Sequence, residues 1–132
     1  MIVFTNGCFD VIHKGHVALL AYCRVLAGPS GRVVVGVNDD QSVSRLKGLE
    51  RPIHALVDRI FVLRELRSVD EVIPFSEDTP LDLIRSLKPD IVVKGGDYRP
   101  EDVVGYGLCR VEIFGYVDGY STTGIIESLG HR

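Results

Sequence analysis

The stretch Ile2-Val3-Phe4-Thr5-Asn6-Gly7-Cys8-Phe9-Asp10-Val11-Ile12-His13-Lys14-Gly15-His16 decides how the rest of the chain is read. It opens with a short, almost continuously apolar run, as expected of a strand (2–6) covered on both faces. The run breaks at a glycine and passes into a helical pattern. Over residues 15–26, Leu19, Cys23 and Leu26 share one face with Leu20 beside them, and Gly28-Pro29 ends the helix.

Outward from that stretch the alternation repeats. Arg32-Val33-Val34-Val35-Gly36-Val37-Asn38, Glu71–Phe75, Ile91-Val92-Val93-Lys94 and Arg110–Phe114 read as further buried strands. Residues 57–66 carry Ile60, Leu63 and Leu66 at helical spacing. A third helix starts at Thr79-Pro80, with Thr79 as N-cap and Pro80 in the first helical position. Its apolar face is Leu83, Ile84 and Leu87, and Lys88-Pro89 stops it. A short final helix follows Ser121-Thr122-Thr123. The order β-α-β-α-β-α-β-β-α predicts a right-handed, Rossmann-like, doubly wound α/β domain over residues 1–132, with about five parallel strands and helices on both faces.

Composition narrows the function classes. At 132 residues, 45% hydrophobic and 25% charged, the chain has the balance of a soluble globular domain with one core. No apolar run approaches the ~20 residues of a membrane span. The start lacks the basic and hydrophobic regions of a signal peptide. The three cysteines, Cys8, Cys23 and Cys109, lack metal-ligand spacing and fit a reducing, cytoplasmic setting. Cys23 and Cys109 read as core and Cys8 as loop, so none is a nucleophile candidate. A net charge of −3 without a basic stripe argues against general nucleic-acid binding. An acidic chain that handles phosphates must place its few cations locally.

Three polar clusters fall where such a sheet binds ligands, beyond the carboxyl ends of strands. In the first, His13 and His16 are three apart, so an opening helical turn can face both the same way. The helix start supplies free N–H groups for phosphate, and Gly15 leaves room for close approach of a nucleotide. Two imidazole N–H donors can follow charge as it develops on a phosphorus centre. In the second, Lys94-Gly95-Gly96-Asp97-Tyr98 leaves a buried strand as backbone opened around a ligand. In the third, Asp118-Gly119-Tyr120-Ser121-Thr122-Thr123 brings hydroxyls to a helix N-terminus, where they cap, bind phosphate, or both.

Together these clusters resemble the H-x-G-H nucleotidyltransferases of the cytidylyltransferase-like family. They are most similar to the D-glycero-β-D-manno-heptose 1-phosphate adenylyltransferase domain of bifunctional heptose-phosphate enzymes in lipopolysaccharide precursor synthesis. The likeness continues through Asn38-Asp39-Asp40, Arg45-Leu46-Lys47-Gly48, Arg51-Pro52, Asp58-Arg59, Val69-Asp70 and Glu77-Asp78-Thr79-Pro80. The resemblance implies transfer of a nucleoside monophosphate from a nucleoside triphosphate, ATP first, to a sugar 1-phosphate with release of pyrophosphate.

It implies His13, His16 and Lys47 as catalytic residues. It also implies a nucleotide site of Thr5, Asn6, Gly7, Phe9, Gly15, His16, Arg59, Lys94, Ser121, Thr122 and Thr123. Asp10, Asp39 and Asp97, together with Lys94, would line the pocket for the second substrate or the metal. Mg²⁺ is implied as cofactor, because it bridges triphosphate oxygens while needing few protein ligands, and a homodimer is implied as the assembly. Tyr116-Val117 stands where glycerol-phosphate enzymes of this family carry Arg-Thr, which favours the heptose branch. The stretch 105–118 is shorter than in the heptose enzymes. Rival readings keep the chemistry with CTP and glycerol 3-phosphate, or with CTP or GTP and a heptose 1-phosphate, or keep only nucleotide binding without turnover.

Overall fold

Strands with no polar face must be covered on both sides, and the chain meets this demand by placing helices above and below one sheet. The computed structural model describes residues 1–115 and 121–130. Five strands, β1 (Ile2–Gly7), β2 (Arg32–Asn38), β3 (Glu71–Phe75), β4 (Ile91–Gly95) and β5 (Arg110–Phe114), pair in the order β3-β2-β1-β4-β5. Every pairing is parallel; Val3, for example, stands between Val33 and Ile91. The helices are α1 (Lys14–Ala27), α2 (Asp40–Lys47), α3 (Leu56–Arg64), α4 (Leu81–Leu87) and α5 (Thr122–Gly130). The expected doubly wound, Rossmann-like sheet is therefore present.

Alternation along each strand divides the core into two layers. Val3, Val33 and Val93 pack against Leu19 and Cys23 of α1. Val35 and Val37, on the same side, meet Leu20 of α1 and Leu63 of α3. Phe4, Val34 and Val92 point the other way, onto Ile84 and Leu87 of α4 and onto Val103. The chain lays β2 and β3 on one side of β1, then crosses to place β4 on the other. The strand order thus reverses between β1 and β4, and a crevice opens beyond their carboxyl ends.

Two local expectations are corrected. Residues 40–47, assigned to no element from the sequence, form α2. Asp39 caps the helix by accepting from the Ser42 N–H at 2.8 Å, Asp40 sits in the first turn, and Arg45 and Lys47 sit in the last. Gly48 stops it at φ 107°. The end signals were present, but only Val43 and Ser42 are buried, so no apolar period announced a helix. The third helix starts one residue later than expected. Pro80 is the N-cap and Leu81 the first helical residue, without a side-chain cap, and Lys88 ends the helix in the left-handed conformation.

Gly36 marks a tight point within the sheet. A Cβ there would stand 2.8 Å from Cζ of the fully buried Phe4 and 3.2 Å from Leu83. Gly36→Ala is expected to lower stability, because overpacking of about 1–3 kcal/mol outweighs the up to ~1 kcal/mol gained from a stiffer unfolded chain. Urea denaturation reads this as a lower midpoint at unchanged slope; an equal or higher midpoint would show that Phe4 yields freely.

Candidate active site

A cavity of about 730 Å³ occupies the crevice where the strand order reverses. Its floor is the end of β1 and the loop after it, with Asn6, Gly7, Phe9 and Asp10. The first turn of α1 contributes His13, Gly15 and His16. Lys47 reaches it from the end of α2, Lys94 from the end of β4, and Ser121, Thr122 and Thr123 from the start of α5. Twelve of the expected site residues are thereby brought to one cavity from five separated segments.

The two histidines do more than line it. His13 is the N-cap of α1, and its Nδ1 accepts from the Gly15 N–H at 3.0 Å. His16 reaches back, its Nδ1 accepting from the His13 N–H at 3.2 Å. This reciprocal arrangement is a capping box built from two imidazoles. Because a backbone donor faces each Nδ1, the proton of each neutral ring resides on Nε2. The rings stack with centroids 3.9 Å apart, and Phe9, whose backbone is left-handed at φ 48°, sets its ring 5.2 Å from that of His16. Burial, and then the neighbouring His13, lower the His16 pKa to about 4; burial also lowers that of His13. At neutral pH both rings are uncharged Nε2–H donors.

The cations are disposed for an anion. Lys47 and Lys94 make no ion pair among the described residues. Burial, and then the charge of Lys47, push Lys94 below the usual lysine pKa. Arg51, which the residue reading did not single out, also lines the cavity, but its Nε donates to Asp10 at 2.7 Å. Asp10 additionally accepts from the Ile53 and His54 N–H groups at 2.8 and 2.9 Å. Burial alone would raise the Asp10 pKa; these hydrogen bonds and Arg51 outweigh it and hold the carboxyl ionised below its usual range. Asp10 thus pins the 51–54 segment to the cavity wall. Cys8 lies in the lining too, with its thiol pKa raised by burial, so it stays protonated.

At the far wall, Ser121 Oγ accepts from the Gly124 N–H at 3.0 Å, and Thr122 Oγ1 donates to the Val11 carbonyl at 3.1 Å. That second bond ties the start of α5 to the loop leading into α1, so two helix N-termini converge on one space. Tyr116, Val117, Asp118, Gly119 and Tyr120 lie outside the described residues.

Four expected site residues stand outside the lining. Thr5 is buried and donates to the Val93 carbonyl at 2.8 Å, stitching β1 to β4. Asp39 is the α2 cap. Asp97 is exposed beyond the rim. Arg59 is 1% exposed, and its guanidinium donates to the carbonyls of Cys8, Asn38 and His54 and to Asp40 at 2.6–2.9 Å. In this structure Arg59, expected in the nucleotide site, clamps the segments that carry Cys8, Asn38 and His54. Sequence patterns show which helix face Arg59 occupies, not that carbonyls from distant segments will gather around it.

The model of the cytidylyltransferase-like family matches residues 4–107. The chain belongs to that family. Among its relatives, the bifunctional protein HldE of Gluconacetobacter diazotrophicus is 54% identical over 131 residues, covering 96% of this chain and 26% of that protein. HldE of Helicobacter hepaticus is 49% identical over 129 residues, with 97% and 26% covered. The chain therefore spans about a quarter of the length of the curated relatives it matches. A crystal structure of the lipopolysaccharide core biosynthesis protein from Thermoplasma volcanium superposes with a TM-score of 0.69 at 28% identity, over 92% of this chain and 98% of that one.

The histidine pair is thus also a helix cap. His13→Ala should cost about 1 kcal/mol through the lost cap, whereas His13→Asn, a strong N-cap, should recover most of it. Equal urea midpoints for His13→Ala and the unchanged chain would refute the capping role.

The same geometry sets a pH dependence. Because folding lowers the His16 pKa from 6.5 to about 4, the unfolded chain binds a proton that the folded chain refuses in this window. The stabilising difference is complete above pH 6.5 and falls as pH drops toward 4, by up to about 1.4 kcal/mol per pH unit. His16→Gln keeps an acceptor at this helix position but does not titrate. Stability measured from pH 7.5 to 4.5 should therefore fall less steeply in that variant; parallel curves would exclude the assigned shift.

Proposed function

We propose that this chain joins AMP from ATP to D-glycero-β-D-manno-heptose 1-phosphate, forming ADP-heptose and pyrophosphate. The observation that carries the reading is the pair of neutral imidazoles whose Nδ1 atoms are both held by backbone N–H groups, at the mouth of a cavity flanked by Lys47 and Lys94. The extent of identity to HldE proteins supports the choice of substrates.

In this reaction an anionic oxygen of the sugar phosphate forms a new bond to the α-phosphorus. The bond from that phosphorus to the oxygen bridging to the β-phosphate breaks, and pyrophosphate leaves with the electron pair. No protein nucleophile and no obligatory proton transfer are needed, so catalysis reduces to alignment and to donors aimed at developing charge. The Nε2–H groups of His13 and His16 serve the α-phosphate and the bridging oxygen. Lys47, Lys94 and the N–H groups at the starts of α1 and α5 balance the β- and γ-phosphates.

Among the described residues no group of three His, Cys, Asp or Glu side chains could hold a metal ion. Asp10 is committed to the 51–54 segment. On this reading Mg²⁺ would come with the triphosphate, keep most of its waters and neutralise phosphate charge. Among the described residues no helix is long and apolar enough to cross a membrane. The same reading places the chain in the cytoplasm as a homodimer, an assembly that light scattering measures directly.

Pyrophosphate release with ATP, CTP and GTP against heptose 1-phosphate and glycerol 3-phosphate tests the assignment. ATP with the heptose should give the highest kcat/KM, and preference for CTP with glycerol 3-phosphate would overturn the substrates. His13→Asn and His16→Gln, which keep cap acceptors, should each lower kcat by roughly 10²–10³-fold. Near-normal turnover in either would sink the chemistry. Lys47→Ala should raise the KM for ATP without altering thermal stability, since this exposed residue ends α2; an unchanged KM and kcat would make it a solvated surface charge.

A further inference from the structure

Lys94 leaves β4 in a half-buried position, facing the like charge of Lys47, with no carboxylate partner among the described residues. A flexible four-carbon chain in that situation is expected to swing toward water, away from the second cation. Instead its Nζ lies 5.2 Å from the ring centroid of Tyr98. Asp97, the carboxylate nearest in sequence, is exposed and outside the lining; both Asp10 oxygens are already engaged, and Asp78 and Asp102 in the lining pair with Arg45 and Arg99. The aromatic ring is what the structure offers Lys94.

We propose that Tyr98 is a positioning residue that holds the Lys94 ammonium in the cavity for a polyphosphate without neutralising it. The inference rests on the reading of this cavity as a nucleotide triphosphate site. A carboxylate partner would fix Lys94 equally well, but it would cancel the charge and would have to be displaced by each incoming phosphate. The face of a tyrosine ring attracts a cation through its quadrupole and carries no net charge, so the ammonium stays available to an anion. Tyr98 also lines the cavity while remaining 46% exposed, so it contributes little to the core and can be changed without unfolding the chain. The interaction is made by the ring, not the hydroxyl. Phenylalanine should therefore replace tyrosine, and an aliphatic side chain of similar size should not.

The test is calorimetric binding of inorganic tripolyphosphate, which needs neither acceptor nor turnover. Tyr98→Leu should weaken binding by roughly 3–10-fold, the scale of a partly desolvated cation–π contact, with an unchanged melting temperature. Tyr98→Phe should bind within about twofold of the original chain on the same scale. In a Lys94→Met background, Tyr98→Leu should have no further effect, because the ring would have no ammonium to hold. The inference is overturned if Tyr98→Leu binds normally, if Tyr98→Phe is as weak as Tyr98→Leu, or if Tyr98→Leu weakens binding equally without Lys94. Absence of tripolyphosphate binding by the unchanged chain overturns it as well. Should ADP-heptose formation fail while this binding pattern holds, the substrate reading falls and the role of Tyr98 stands; the converse result removes Tyr98 alone.

Discussion

A guanidinium buried to 1% exposure has to satisfy its N–H groups within the protein, and the loops of this site are arranged around that demand. Arg59 takes the Cys8 carbonyl from the loop after β1, the Asn38 carbonyl from the end of β2, and the His54 carbonyl from the segment before α3. Its ion-pair partner Asp40 also accepts from the Leu56 N–H at 2.9 Å, so the start of α3 is held by the same carboxylate. Of these, Cys8 and Asn38 line the cavity. One cation therefore does for three loops what the hydrophobic layers do for the strands.

The same division of labour recurs with the opposite sign at Asp10. Its carboxylate draws two backbone N–H groups and Arg51 onto the cavity wall, which leaves Lys47 and Lys94 as the lining's unmatched cations. Acids and bases with structural tasks are thus paired with each other, and the charges left over face the space where an anion would sit. This is how a chain of net charge −3 leaves two lysines without an ion pair in the lining, among the described residues.

The histidine pair shows why stability and chemistry are coupled at this site. Each ring uses one nitrogen to satisfy a backbone donor at the start of α1, and that use fixes the proton on the other nitrogen. Burial keeps both rings neutral, as the lowered pKa values express. A capping serine would stabilise the helix as well, but its acceptor and its one donor share a single short-armed oxygen, whereas an imidazole sets its donor on the far side of the ring from the cap. Gly15 between the rings lets the first turn approach a ligand closely, and Phe9, in a left-handed conformation uncommon for an aromatic residue, supports His16 from beneath.

The sequence by itself determined the sheet and its two covered faces, because uninterrupted β-branched runs and three periodic helices leave few other ways to bury so much apolar surface. It also pointed to twelve residues that line one cavity, since their places at the ends of strands and helices are local consequences of strand–turn–helix order. Only the tertiary structure decided what Arg59, Thr5 and Arg51 do. Their partners include carbonyls and a carboxylate 21 to 88 residues away, and no local pattern records which distant polar groups will be left needing a donor. The α2 helix stayed hidden for a related reason. It is held by Asp39 at its start and by the Ser42 hydroxyl, which donates to the Glu77 carbonyl at 3.1 Å, rather than by an apolar stripe that a periodic reading could detect. Hydrophobic burial is written in the spacing of residues along the chain; polar satisfaction is settled only when the chain has closed on itself.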